Sequence, residues 1–112
     1  MKLWEVGNIL MDLSEEYGPL KVYFKTKDGE RHEIKKVFNT IFRGEPTPIE
    51  LHPDDGELAS ANELILVLYY FQQRFNTGEL EIRYMKDHPI DFIDYEEDGD
   101  FKGIVMRSYI KD

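Results

Sequence analysis

Leu3, Val6, Leu10, Leu13 and Tyr17 recur at the i, i+3, i+7 spacing of one helical face, while Glu5, Asp12, Glu15 and Glu16 lie off it. The pattern predicts an amphipathic helix, and Gly18-Pro19 supplies its stop. The period then changes to two. Leu20, Val22 and Phe24 alternate with Lys21, Tyr23 and Lys25 as in a half-buried strand, and Asp28-Gly29 suits the positive φ angles of a tight hairpin turn. The return strand is expected from about Arg31 to Phe38, with a bulge where Ile34 and Val37 break strict alternation. Gly44, Pro46, Pro48 and Pro53 punctuate a loop through Gly56, with room for a short extended piece at Ile49 to Leu51.

Residues 57–76 admit two readings. As a strand, Leu64 to Phe71 would be buried on both faces, and a hairpin at Asn76-Thr77-Gly78 would set Arg74 opposite Leu80 and Gln72 opposite Ile82, a poor match of polar to apolar. As a helix, Ala61, Leu64, Leu68, Phe71 and Phe75 line one face. Ser60 and Glu63 then have capping-box spacing, and Asn76-Thr77-Gly78 is a C-terminal stop. The run Tyr69-Tyr70-Phe71 leans toward strand, but the helix satisfies more of the segment and is the expectation here. From Glu79 the strand period returns: Leu80, Ile82 and Tyr84 alternate with Glu81, Arg83 and Met85, and Pro89 interrupts. Ile90 to Tyr95 and Phe101 to Ile110 then flank a turn at Asp98-Gly99, which would oppose Ile93 with Ile104 and Phe92 with Val105. The sum is an α+β fold: an N-terminal amphipathic helix, a β-hairpin, a second helix and a C-terminal antiparallel β-meander, forming a single layer of sheet packed by helices.

At 112 residues, burying roughly two thirds of its extended-chain surface, the chain is expected to form a single domain over residues 1–112. The longest run without a polar residue, Leu64 to Phe71, is eight residues, too short for a membrane span. Glu5 precedes any apolar stretch, so no signal peptide is read at the start. The absence of cysteine removes disulfides and thiolate chemistry and fits a cytoplasmic location.

Charge adds what periodicity cannot. The net charge is −9, but it is unevenly placed. Between Asp87 and Asp100 stand seven acids (Asp87, Asp91, Asp94, Glu96, Glu97, Asp98 and Asp100) with no Lys or Arg, leaving only −2 for the rest of the chain. From Lys21 to Arg43 the balance is +4. The acidic segment has a plain explanation as a solvated hairpin tip that blunts a sheet edge. It also fits a docking surface for a basic partner. Alternate residues of a strand project on one face about 6.6 Å apart, so Asp94, Glu96, Asp98 and Asp100 could imitate a row of nucleic-acid phosphates. A third reading, a calcium loop over Asp94-x-Glu96-x-Asp98-Gly99, matches weakly: Val105 stands where a bidentate Glu is required, and both flanks read as strand.

Catalytic constellations are not found. His32, His52 and His88 form no His-Glu-x-x-His pair, and His52 with Asp54 or Asp87 with His88 are better read as loop residues before proline. Ser60 is read as a helix cap, and there is no Gly-x-Ser-x-Gly elbow or phosphate-cradling loop. Lys21, Lys25, Lys27, Arg31, Lys35, Lys36 and Arg43, with Tyr23, Phe38 and Phe42 among them, could make a small basic aromatic surface, but a chain of charge −9 is repelled by nucleic acid at long range. If residues 64–71 are helical, they are apolar all round, which leaves Leu66, Val67 and Tyr70 as an oligomer contact. The expectation carried forward is a small acidic cytoplasmic protein without catalysis, cofactor or metal. It would dock the Asp87–Asp100 hairpin on a basic surface of a protein partner, such as a nucleic-acid-binding protein, as an inhibitor or adaptor, with no direct nucleic-acid or membrane binding. Two readings stand beside it: an oligomeric assembly subunit whose acidity serves solubility, and an enzyme using clustered carboxylates or a metal.

Overall fold

The computed structural model describes residues 1–39, 41–42, 45–75 and 79–109. Two helices, α1 (Leu3–Tyr17) and α2 (Ala61–Phe75), pack on eight strands in two mixed four-stranded sheets. The strands are β1 (Val22–Lys25), β2 (Arg31–Glu33), β3 (Lys36–Phe38), β6 (Ile49–His52), β7 (Ile82–Tyr84), β8 (His88–Pro89), β9 (Phe92–Asp98) and β10 (Phe101–Arg107); β4 (Ile41–Phe42) and β5 (Glu45–Pro46) form a separate short ladder. The α+β class read from periodicity is the observed one, with helices packed on sheet. Both helices stand where the apolar spacing puts them. Leu3, Val6 and Leu10 of α1 and Ala61, Leu64 and Leu68 of α2 are buried. The carboxylate of Glu63 accepts the Ala59 N–H at 2.5 Å, one residue earlier than the capping-box spacing suggests. The expected stop at 76–78 lies outside the described residues, as do Arg43, Gly44 and Ile110.

The expected single antiparallel layer is corrected to two sheets, ordered β2-β1-β10-β9 and β3-β6-β7-β8. The chain changes sheet twice, each time at a buried isoleucine. Where a bulge was expected, Ile34 still donates to Val22 O at 2.8 Å in the first sheet, whereas Lys35 donates to His52 O at 2.8 Å in the second. Gly56 lies against this crossing so closely that a Cβ on it would fall 1.8 Å from the Lys35 carbonyl oxygen. The second change follows Pro89. Ile90 is fully buried, and the next N–H, of Asp91, binds Arg107 O at 2.9 Å. The meander therefore divides, β7–β8 in one sheet and β9–β10 in the other, and each sheet gains a parallel pair: β6 with β7 through α2, and β1 with β10. Buried residues of both sheets and both helices form one apolar cluster. At its centre, Phe24 of the first sheet stacks on Tyr84 of the second at 4.1 Å, with His88 tilted against both rings.

The β9–β10 hairpin also differs in register. Phe101 pairs with Asp98, Tyr95 with Ile104 and Ile93 with Met106, so the turn residues are Gly99-Asp100 instead of Asp98-Gly99. Gly99 takes φ 60° as the first central residue, the position glycine favours in a type II′ hairpin turn. Each partner moves by two residues, an even slip that keeps every side chain on its expected face.

Candidate functional site

The two segments of opposite charge meet in the first sheet, with only β10 between β1 and β9. On the outer face of this sheet Glu96 accepts from Arg31 through Nε at 2.8 Å and Nη2 at 2.5 Å, and from Lys25 Nζ at 3.1 Å. These three side chains are only 22–24% exposed. Arg31 also reaches Asp98 at 3.2 Å, and its guanidinium lies 3.9 Å above the Phe101 ring. Gly103, opposite Glu96 in the ladder, makes this crossing possible: a Cβ there would come within 2.8 Å of the Tyr23 ring and 3.0 Å of Phe101.

The expected row of four free carboxylates is thereby reduced. Asp94, Glu96 and Asp98 do occupy alternate positions of β9, but Glu96 belongs to the internal ion cluster and Asp98 shares Arg31. Asp94, and Asp100 at the turn, stand exposed and carry no ion pair among the described residues. Glu97 is on the other side of the strand, where it accepts the Tyr95 hydroxyl at 3.1 Å and lies 3.8 Å from Lys102. Asp91 binds the Tyr109 N–H at 2.7 Å and so acts locally on the backbone, while Asp87 is exposed in the turn before β8. The calcium-loop reading fails on geometry, since its three acids lie on a paired strand and the middle one is bonded to two cations. His52 pairs with Glu50 at 2.9 Å, not with Asp54, and His88 is packed on Phe24 and Tyr84. Among the described residues no group of three or more His, Cys, Asp or Glu is placed to hold a metal ion.

Glu96 titrates in a way that exposes the cluster's contribution. Burial works to raise its pKa, but the hydrogen bonds and charges of Arg31 and Lys25 outweigh it, and the carboxyl sits below the 4.5 of a free glutamate. The folded state thus holds this proton more weakly than the unfolded chain does. The resulting stability is complete above 4.5 and is lost as pH falls through the lower folded-state value. Glu96→Gln keeps the side-chain size and removes the charge. It is expected to lower the unfolding free energy by about 1 kcal/mol at neutral pH and to approach wild type as the pH falls below the folded-state value, read by urea denaturation at neutral pH and down an acid series. A loss that stays constant down the acid series would show that the charge is not what matters there.

The oligomer-contact residues are on α2. Leu66 is 68% exposed and Tyr70 is exposed beside it, whereas Val67 is half-buried in a groove. Sequence reasoning did not reach Arg31, Phe101 or Gly103 as partners of Glu96. The one signal in the sequence for this contact is the opposite net charge of the two segments. No helix among the described residues is long and apolar enough to cross a membrane. Comparison with known protein families, with curated proteins and with solved structures gives no match.

Proposed function

We propose that this protein acts by binding, presenting the β9–β10 hairpin to a basic surface of a protein partner as an inhibitor or adaptor. The observation that supports this reading is how the remaining acids are held. The hairpin is paired over seven residues of each strand, its face is tied down by the Lys25–Glu96–Arg31 cluster, and Asp94, Asp98 and Asp100 project from that braced frame. Carboxylates carried on a backbone fixed in advance spare the partner the cost of ordering the hairpin when a cationic surface closes on them, and their field speeds the encounter. A nucleic-acid-binding surface is one such partner, because its lysines and arginines are spaced for a line of anions. Braced in this way, the acidic hairpin suits recognition better than solubility alone.

The test is affinity capture with wild type and an Asp94→Asn/Asp98→Asn/Asp100→Asn variant, followed by binding kinetics with the purified partner. Glu96 is left intact because its role is internal. A basic protein is expected on the wild type, bound about tenfold more weakly by the variant, with most of the loss in the salt-dependent association rate. Recovery of the same partners by both proteins with equal kinetics would overturn the reading.

A further inference from the structure

A second surface lies on the helices, apart from the acidic hairpin. Leu66 stands as a ridge between two open grooves. The larger, about 580 Å³, runs between α2 and the β3 region and includes Val37, Leu58 and Val67. The smaller, about 390 Å³, runs between α1 and α2 and includes Met11 and Ile65. Met11, Leu66, Tyr69 and Tyr70 are all exposed, so the two helices carry an apolar surface that the chain itself leaves uncovered.

The charge around this surface selects its occupant. Helix α1 bears Glu5, Asp12, Glu15 and Glu16 and no Lys or Arg. Glu15 borders the smaller groove, and Asp55, Glu57 and Glu63 border the larger. The nearby cations are mostly engaged: Lys2 with Glu79 at 2.6 Å, Lys35 with Glu33 at 3.6 Å, and Arg74 with the Tyr70 hydroxyl at 3.2 Å. Lys36 is the exception on the rim of the larger groove. A second copy joined through this face by a two-fold axis would bring acidic helix against acidic helix. We infer that the α1–α2 face receives a basic amphipathic helix from a partner protein. Apolar side chains about one turn apart on that helix enter the grooves on either side of Leu66, and its Lys and Arg residues meet the acids at the rim. This surface does not depend on the hairpin reading, since α1 packs through the Tyr17–Tyr95 stack on the side of β9 opposite Glu96.

The experiment titrates a fluorescently labelled synthetic helix of Leu and Lys, about 14 residues long, with Leu at the i, i+3, i+4, i+7 positions of one face, and a scrambled peptide of equal composition without an apolar face, reading anisotropy. The wild type is expected to bind the amphipathic peptide saturably and at least about tenfold more tightly than the scrambled one. Met11→Ser/Leu66→Ser, two exposed positions, is expected to lose about tenfold in affinity while melting as the wild type does. The Asp94→Asn/Asp98→Asn/Asp100→Asn variant is expected to bind the helix unchanged. Equal affinity for both peptides, or no effect of the Met11/Leu66 variant, would overturn the proposal. So would a wild-type dimer in sedimentation that the Met11/Leu66 variant dissociates, because a second copy would then be the occupant.

Discussion

Gly56→Ala is expected to destabilise the fold by about 3 kcal/mol or more, at or beyond the upper end of ordinary overpacking. The added Cβ would fall 1.8 Å from the Lys35 carbonyl oxygen, 2.3 Å from its carbon and 2.8 Å from the Lys36 Cβ. None of these neighbours can swing aside as the tip of a flexible side chain could. Lys35 is also where the chain leaves the first sheet: its N–H is bonded to His52 and its carbonyl accepts the Leu58 N–H at 3.1 Å. Relieving the clash therefore means moving the crossing itself, and with it the edge of the second sheet. For a domain of this size the change corresponds to a melting temperature lower by about 10 °C or more. The same substitution at Gly7 provides the contrast. Gly7 lies inside α1, and a Cβ there meets nothing within 4 Å, so Gly7→Ala is expected to stabilise by about 0.5–1 kcal/mol through helix propensity. Thermal melting followed by circular dichroism reads both. A Gly56→Ala protein that melts like the wild type would show that the loop does not approach Lys35 so closely.

Phe24→Ala is expected to cost about 3–5 kcal/mol, the range for deleting a buried aromatic ring. Phe24 is 3% exposed, and its ring lies parallel to that of Tyr84, with 2° between the planes. Because the two rings belong to different sheets, the loss falls on the contact that joins them. A double-mutant cycle with Phe24→Leu and Tyr84→Leu is expected to give a coupling of about 0.5–1.5 kcal/mol, beyond what area burial provides. A loss below about 1 kcal/mol for Phe24→Ala, measured by denaturant unfolding, would mean that the sheets are held together elsewhere.

Reading the sequence succeeded where the signal is local. The 3.6 period of Leu3 to Tyr17 and of Ala61 to Leu68 reports which face of a helix is buried: Leu3, Val6, Leu10, Ala61, Leu64 and Leu68 are buried, whereas Leu13 is half-buried and Tyr17, at the helix end, is exposed. The poor cross-strand match of Arg74 with Leu80, the helical face from Ala61 and the Ser60–Glu63 spacing together favour helix over strand within 57–76, and α2 (Ala61–Phe75) is helical against the strand propensity of Tyr69 to Phe71. The reading failed at residue 34, where a broken alternation was equally compatible with a bulge and with a change of sheet. It failed again at the β9–β10 turn. Gly99 can occupy either central position of a two-residue loop, and both registers place the same residues on the same face. The candidate site was half legible. The seven acids and their alternation on β9 follow from the sequence, but the bond from Glu96 to Arg31 spans 65 positions and depends on β1 lying beside β10.

The sequence by itself determined the type of each long element, the buried face of both helices and the division of charge into an acidic and a basic segment. These follow from side-chain period and composition, which act over a few residues. The tertiary structure alone decided that the strands form two sheets, that β1 pairs in parallel with β10, and that the two charged segments face each other and partly cancel. Those outcomes depend on which distant apolar faces bury one another, with Phe24 meeting Tyr84 and Val22 beside Ile104, and a local period carries no record of that choice. The acidity that looked like a row of four free carboxylates becomes, in the fold, a braced hairpin on which Asp94, Asp98 and Asp100 still point outward.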